Sequence, residues 1–196
     1  MKTKDKVMLA ACFNDLAASL MSQQKHMAAI ETRLSSVLPV YESILGDHPF
    51  VATTLSWIAN SYQALGDYDN AVTFTRRALA IREQLLGHHQ ETARSLYDLG
   101  LALSAKKDYK GALKYLEEAV ALQKEVLDTH EELMLTHRAK SIALSGLGRE
   151  DEAEREMERA GECKKRLDSL EVPLERIDSF QEKGYEVVLK SSETSL

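Results

Sequence analysis

Loop-forming residues are scarce in this chain: three prolines and nine glycines in 196 residues leave little material for a loop-rich fold. Aromatic residues are also few, at 6%. Basic charge is not in excess, since the formal net charge is −6, and a nucleic-acid footprint needs a basic face. No segment approaches the roughly 20 consecutive apolar residues of a membrane span. The two cysteines, Cys12 and Cys163, lie far apart and have no metal-ligand spacing. They are expected as free, buried or half-buried thiols in a reducing compartment. Lys2, Lys4 and Lys6 before Val7 to Ala11 resemble a short signal sequence, but Asn14 and Asp15 interrupt the apolar run. An amphipathic helix and a cytoplasmic location are expected instead.

What is abundant is Ala, Leu, Glu, Lys, Arg and Gln, the usage of a mostly helical protein. Shifted by 41 residues, the chain matches itself: Leu45-Gly46 falls on Leu86-Gly87, Ala52 on Ala93, Leu55 on Leu96, Tyr68 on Tyr109, Ala71 on Ala112 and Ala78 on Ala119. A further shift reaches Leu144, Gly148, Ala153 and Ala160. Tandem copies at a fixed period mean stacked units, because one such unit cannot bury its apolar face alone.

Within a copy the spacing is helical. Leu55, Ile58, Ala59 and Tyr62 recur at i, i+3, i+4 and i+7, and Ala71, Thr75, Ala78 and Leu79 make the second face. Pro49 suits a first helical turn, Gly66 a left-handed C-terminal cap and Asp67 the next N-cap. Lys107 stands where Gly66 and Gly148 stand in neighbouring copies, so the same turn forces it into a left-handed conformation. Before Leu45 lies a worn first copy with Phe13, Leu16, Ala17 and Leu20 on one face. It needs a one-residue register slip, and Pro39 falls inside its second helix, where a kink is expected. After Gly148 the second helix is heavily charged, with Ala153, Met157, Ala160, Leu167 and Leu170 as a narrow apolar stripe beneath a solvated face.

These residues carry a resemblance. Leu45-Gly46 with His48-Pro49, Ala52, Leu55, Tyr62, Gly66, Tyr68, Ala71 and the run Arg77 to Glu83 resemble the tetratricopeptide repeat, in the long form of kinesin light chains and nephrocystin-like proteins. Kinesin light chains usually carry an Asn pair where Ser56-Trp57 and Tyr97-Asp98 stand here. The fold implied is all-α, a right-handed α-solenoid of about four antiparallel hairpins with a C-terminal capping helix. The expected organisation is an array over 1–172, with repeats at about 7–46, 47–87, 88–128 and 129–170, a cap at 173–190 and a flexible tail at 191–196. The common form of the repeat has a period of about 34. Seven more residues are almost two helical turns, so each helix lengthens by about one turn with the same face inward.

The resemblance implies a non-catalytic adaptor that receives a peptide segment of a protein partner in a concave groove lined by the first helix of each hairpin. The groove positions are then Asn14, Ala18 and Met21; Thr53, Trp57, Asn60 and Gln63; Arg94, Tyr97 and Leu101; and Arg138, Ile142 and Ser145. Asn60 suits bidentate bonding to a peptide backbone, and Arg94 with Arg138 suits a carboxylate. Trp57 and Tyr97 suit apolar anchors. The alternative for these residues is half-buried packing, with the arginines paired to neighbouring acids. Self-association, or service as the binding subunit of an enzyme on another chain, is the alternative function.

No catalytic signature is present: no glycine-rich phosphate loop, no G-x-S-x-G and no H-E-x-x-H. No cofactor is implied. His48, His89 and His130 recur in register, yet packed helices lie ~8–10 Å apart while zinc ligands reach ~2 Å, so no metal is expected there. At the terminus, Thr194 and Leu196 fit the pattern read by PDZ domains.

Overall fold

In the computed structural model, residues 2–126 and 130–169 are described. The chain folds as α1 (Thr3–Ser22), α2 (His26–Thr32), a π-helical turn (Arg33–Val37), α3 (Leu38–Leu45), α4 (Pro49–Ala64), α5 (Tyr68–Leu86), α6 (Gln90–Ala105), α7 (Tyr109–Val126), α8 (His130–Gly146) and α9 (Glu150–Ser169). Each consecutive pair forms a hairpin, α2 and α3 together serving as the second helix of the first, and successive hairpins stack into an all-α solenoid. The end of the fourth expected repeat, the expected cap at 173–190, the tail, Thr194 and Leu196 lie outside the described residues.

The apolar stripes do what their spacing implies. Leu55, Ile58, Ala59, Ala71, Ala78, Leu96 and Ala112 are all buried, and the zero-exposure alanines mark where helix backbones approach most closely. In the first hairpin the inward face runs through Ala10, Phe13 and Ala17, and Leu16, expected inside, is 50% exposed. Residues 10, 13 and 17 define that face, and position 16 is turned about 100° from 17 and about 120° from 10 around the helix axis. Cys12 is likewise exposed rather than buried, and Cys163 is half-buried.

Every hairpin turn is the same device. Asp67 N donates to Tyr62 O (2.9 Å), Asp108 N to Leu103 O (2.9 Å), Arg149 N to Leu144 O (3.0 Å) and Lys25 N to Leu20 O (2.9 Å). In each, the residue between is left-handed: Gly66 at φ 77°, Lys107 at 66°, Gly148 at 73° and Gln24 at 59°. Lys107→Gly is therefore expected to stabilise the fold by about 1 kcal/mol, since the side chain is strained at this φ. A urea titration at constant m-value checks it, and an unchanged midpoint would refute it.

The first hairpin explains both its register slip and its proline. Pro39 lies in the first turn of α3, without an N–H and sterically intolerant of a regular preceding turn. The helix responds with a π turn, in which Leu38 N donates to Arg33 O, five residues back. Such a turn holds one extra residue, which is the slip. The recurring histidines also gain a role, because His48 Nδ1 accepts from Phe50 N (3.1 Å) and His89 Nδ1 from Glu91 N (3.2 Å). They are N-caps of α4 and α6.

Candidate functional site

The expected groove residues separate into three groups. Asn14 and Met21 of the first hairpin and Trp57 of α4 converge on Arg33, a guanidinium that is fully buried. Arg33 Nε donates to Asn14 Oδ1 at 3.1 Å, its Nη1 lies 3.0 Å from Met21 Sδ, and its charge sits 5.0 Å from the centre of the Trp57 ring. A cation desolvated against an aromatic face gains more than one in water. These three side chains thus package an internal arginine. Thr53 and Ala18 are half-buried beside this end of the array.

The second group makes a site. Asn60, Gln63, Arg94, Tyr97 and Leu101, from α4 and α6, line one open groove of about 600 Å³ together with Ala64, Asp98, Gln123, Glu132 and Leu135. Helical spacing brings them there, because 60 and 63 share a face of α4, and 94, 97, 98 and 101 share a face of α6. Arg138 and Ile142 stand exposed on α8 and do not line this groove, and Ser145 Oγ donates to Glu150 at 2.8 Å.

The electrostatics differ from those of a carboxylate holder. Arg94 Nε donates to Asp98 Oδ1 at 3.4 Å, one helical turn on. The Asp98 side chain is only 17% exposed. Burial pushes its carboxyl above the usual range, against the pull of Arg94. Asp98 in turn raises the Arg94 guanidinium. Burial, followed by Asp98, pushes the Tyr97 phenol up, opposed by Arg94 and Arg138, with Glu132 adding a smaller upward push. Four charged groups of mixed sign therefore surround Tyr97.

Sequence reasoning missed Asp98, Gln123 and Glu132. Asp98 follows Arg94 by four residues, the ion-pair spacing, and that signal was available. Gln123 belongs to a second helix, which reaches the groove floor only through the packing of α7 between α6 and α8. Elsewhere, Arg82 is 5% exposed and donates to Ser56 Oγ (2.9 Å) and Ser95 Oγ (2.5 Å), with Glu91 Oε2 at 3.0 Å. It ties α4, α5 and α6 together. In the charged last helix, Glu156 rather than Met157 turns inward: Glu156 is 5% and Met157 47% exposed. His137 Nδ1 (2.5 Å), Lys140 Nζ (3.1 Å) and Arg159 Nη1 (2.6 Å) hold its carboxylate. The solvated-face expectation fails at that residue because partners on α8 replace its water.

Residues 50–125 match the family model described as tetratricopeptide repeat. Those residues are tetratricopeptide repeats, and the fold around them is an all-α solenoid of the same kind. Among solved structures, BtubC (BKLC) from P. vanneervenii superposes with a TM-score of 0.78 at 18% identity, over 83% of this chain and 66% of that one. A Podosopora anserina array of nearly identical TPR-like repeats, of kinesin-light-chain type, gives 0.69 at 22% identity over 81% and 76%. Aspartyl phosphate phosphatase F from Bacillus subtilis gives 0.73 at 17% identity over 83% and 42%. This chain thus spans just under two thirds of the first of these structures and less than half of the third, and the likeness is one of fold. No curated protein matches it significantly. Among the described residues, no group of three His, Cys, Asp or Glu side chains is placed to hold a metal, and no helix is long and apolar enough to cross a membrane.

Proposed function

We propose that the protein is a non-catalytic adaptor that binds a segment of a protein partner in the groove between α4, α6 and α8, and that it works in the cytoplasm. The carrying observation is convergence: seven side chains from two successive first helices meet with Glu132 and Leu135 of a third in one open groove. Asn60 offers both a donor and an acceptor at the rim, where an extended backbone needs both. Tyr97 and Leu101 supply half-buried apolar surface beside a polar wall, the composition of an interface anchor.

The test is a photo-crosslinking residue placed at Leu101, with Thr73, exposed on a second helix, as the control position. Adducts at 101 that are absent at 73, and lost with Tyr97→Ala, are expected. Equal labelling at both positions would refute groove binding.

Self-association has one observation in its favour. Met8, Leu9 and Leu16 on α1 are 59%, 46% and 50% exposed. Leu9→Glu with Leu16→Glu should convert any dimer to monomer in light scattering, whereas a wild-type chain monomeric at micromolar concentration would remove this reading.

A further inference from the structure

Buried acceptors without partners are uncommon in folded proteins, because each forfeits its hydration for nothing. Two of them line the groove: Gln123 Oε1 and Glu132 Oε2 find no hydrogen-bond partner among the described residues. Gln123 is 1% exposed, so its amide is not simply solvated.

The repeat register explains why these two atoms are left over. Gln123 and Glu132 stand 41 residues after Arg82 and Glu91. One copy earlier, Arg82 closes the position from inside, with Glu91 Oε2 at 3.0 Å and the hydroxyls of Ser56 and Ser95 also engaged. Two copies earlier, the equivalent residues are Tyr41 and Phe50, whose rings pack 6.0 Å apart. The third copy keeps the acid of the second but replaces its arginine with glutamine. The carboxylate remains where a guanidinium belongs.

From this we infer that the groove floor recognises a basic side chain, lysine or arginine, of the bound segment, which donates to Gln123 Oε1 and Glu132 Oε2 as Arg82 does internally one repeat before. The inference rests on the groove being the binding surface. Charge supports it at the floor: Arg94 is already paired to Asp98, and Arg138, which also acts on Tyr97, stands exposed on α8 outside the lining. Among the described residues, Glu132 is thus the lining carboxylate without a cation bonded to it. A carboxylate ligand would meet acceptors only at Gln123 Oε1 and Glu132 Oε2, whereas a cation meets complementary atoms and the half-buried ring of Tyr97.

Three fluorescent peptides of identical alanine-rich sequence, with arginine, citrulline or glutamate at the centre, test this by anisotropy. The arginine peptide is expected to bind at least tenfold more tightly than the other two. Glu132→Gln should erase that preference, and Glu118→Gln, on a different surface groove, should leave it intact. Gln123→Arg should rebuild the Arg82 arrangement, keep the helical circular dichroism and lose the arginine peptide. If that variant does not fold, Glu132→Gln, isosteric and uncharged, decides alone. Equal binding of arginine and citrulline peptides, preference for glutamate, or no binding of any peptide at millimolar concentration overturns the inference. Crosslinking at Leu101 reports on the groove separately, so partner adducts there with no arginine preference would sink this inference and leave the groove standing.

Discussion

Glu156→Ala is expected to destabilise the last hairpin by about 3–5 kcal/mol, the cost of removing one partner from a buried ionic cluster. His137 and Lys140 are 4% and 9% exposed, and neither can recover its hydration without opening α8 from α9. In a repeat array each unit is held by its own contacts and its neighbour's, so the loss falls mainly on the terminal hairpin. Urea unfolding should acquire an early phase, and amide exchange should accelerate across 130–169 while residues 49–105 stay protected. A single unshifted transition would contradict it.

The same cluster sets an acid response. Burial pushes His137 below its usual value, against the hydrogen bond to Glu156. Burial raises Glu156, but the bonds from His137 and Lys140 outweigh it and hold the carboxyl below its usual range. Both folded values are depressed, so both groups contribute stability above their unfolded values that is lost as pH falls. Loss should begin near the unfolded histidine value of about 6.5 and steepen below about 4.3, the unfolded glutamate value. A thermal midpoint measured from pH 7.5 to 4 should fall through this window, with the upper part of the fall absent in His137→Gln.

Leu116→Ala should cost about 2–5 kcal/mol, because the side chain is fully buried and its removal leaves a cavity between α6 and α7. The size of that loss depends on Gly100. A Cβ at position 100 would sit 2.5 Å from Leu116 Cγ and 2.6 Å from its Cδ2, so Gly100 is small to admit Leu116. In the preceding copy the equivalent pair is Ala59 with Thr75, the same space divided differently. Gly100→Ala alone should destabilise by overpacking, despite alanine's better helix propensity. The double variant should lose less than the sum of the two single losses, and strict additivity in chemical denaturation would show that the contact is not shared.

Most of the fold is legible in the sequence, because its determinants are local. A left-handed residue must close each turn, a proline must disturb the helix that contains it, and apolar residues at helical spacing must face a neighbour. The groove is half legible by the same rule: Asn60, Gln63, Arg94, Tyr97 and Leu101 follow from which face of α4 and α6 points inward. Trp57 and Asn14 share that pattern, yet they are turned to Arg33, a residue whose type alone assigns it to water.

The sequence by itself determined the period, the hairpins and the turns. Only the tertiary structure decided which polar side chains go inside. Arg33, Arg82 and Glu156 are buried through partners on other helices, as with Asn14 for Arg33 and His137 for Glu156. Burial of a charge is costly unless such a partner is present, and no periodicity within one helix reveals what the next helix will offer.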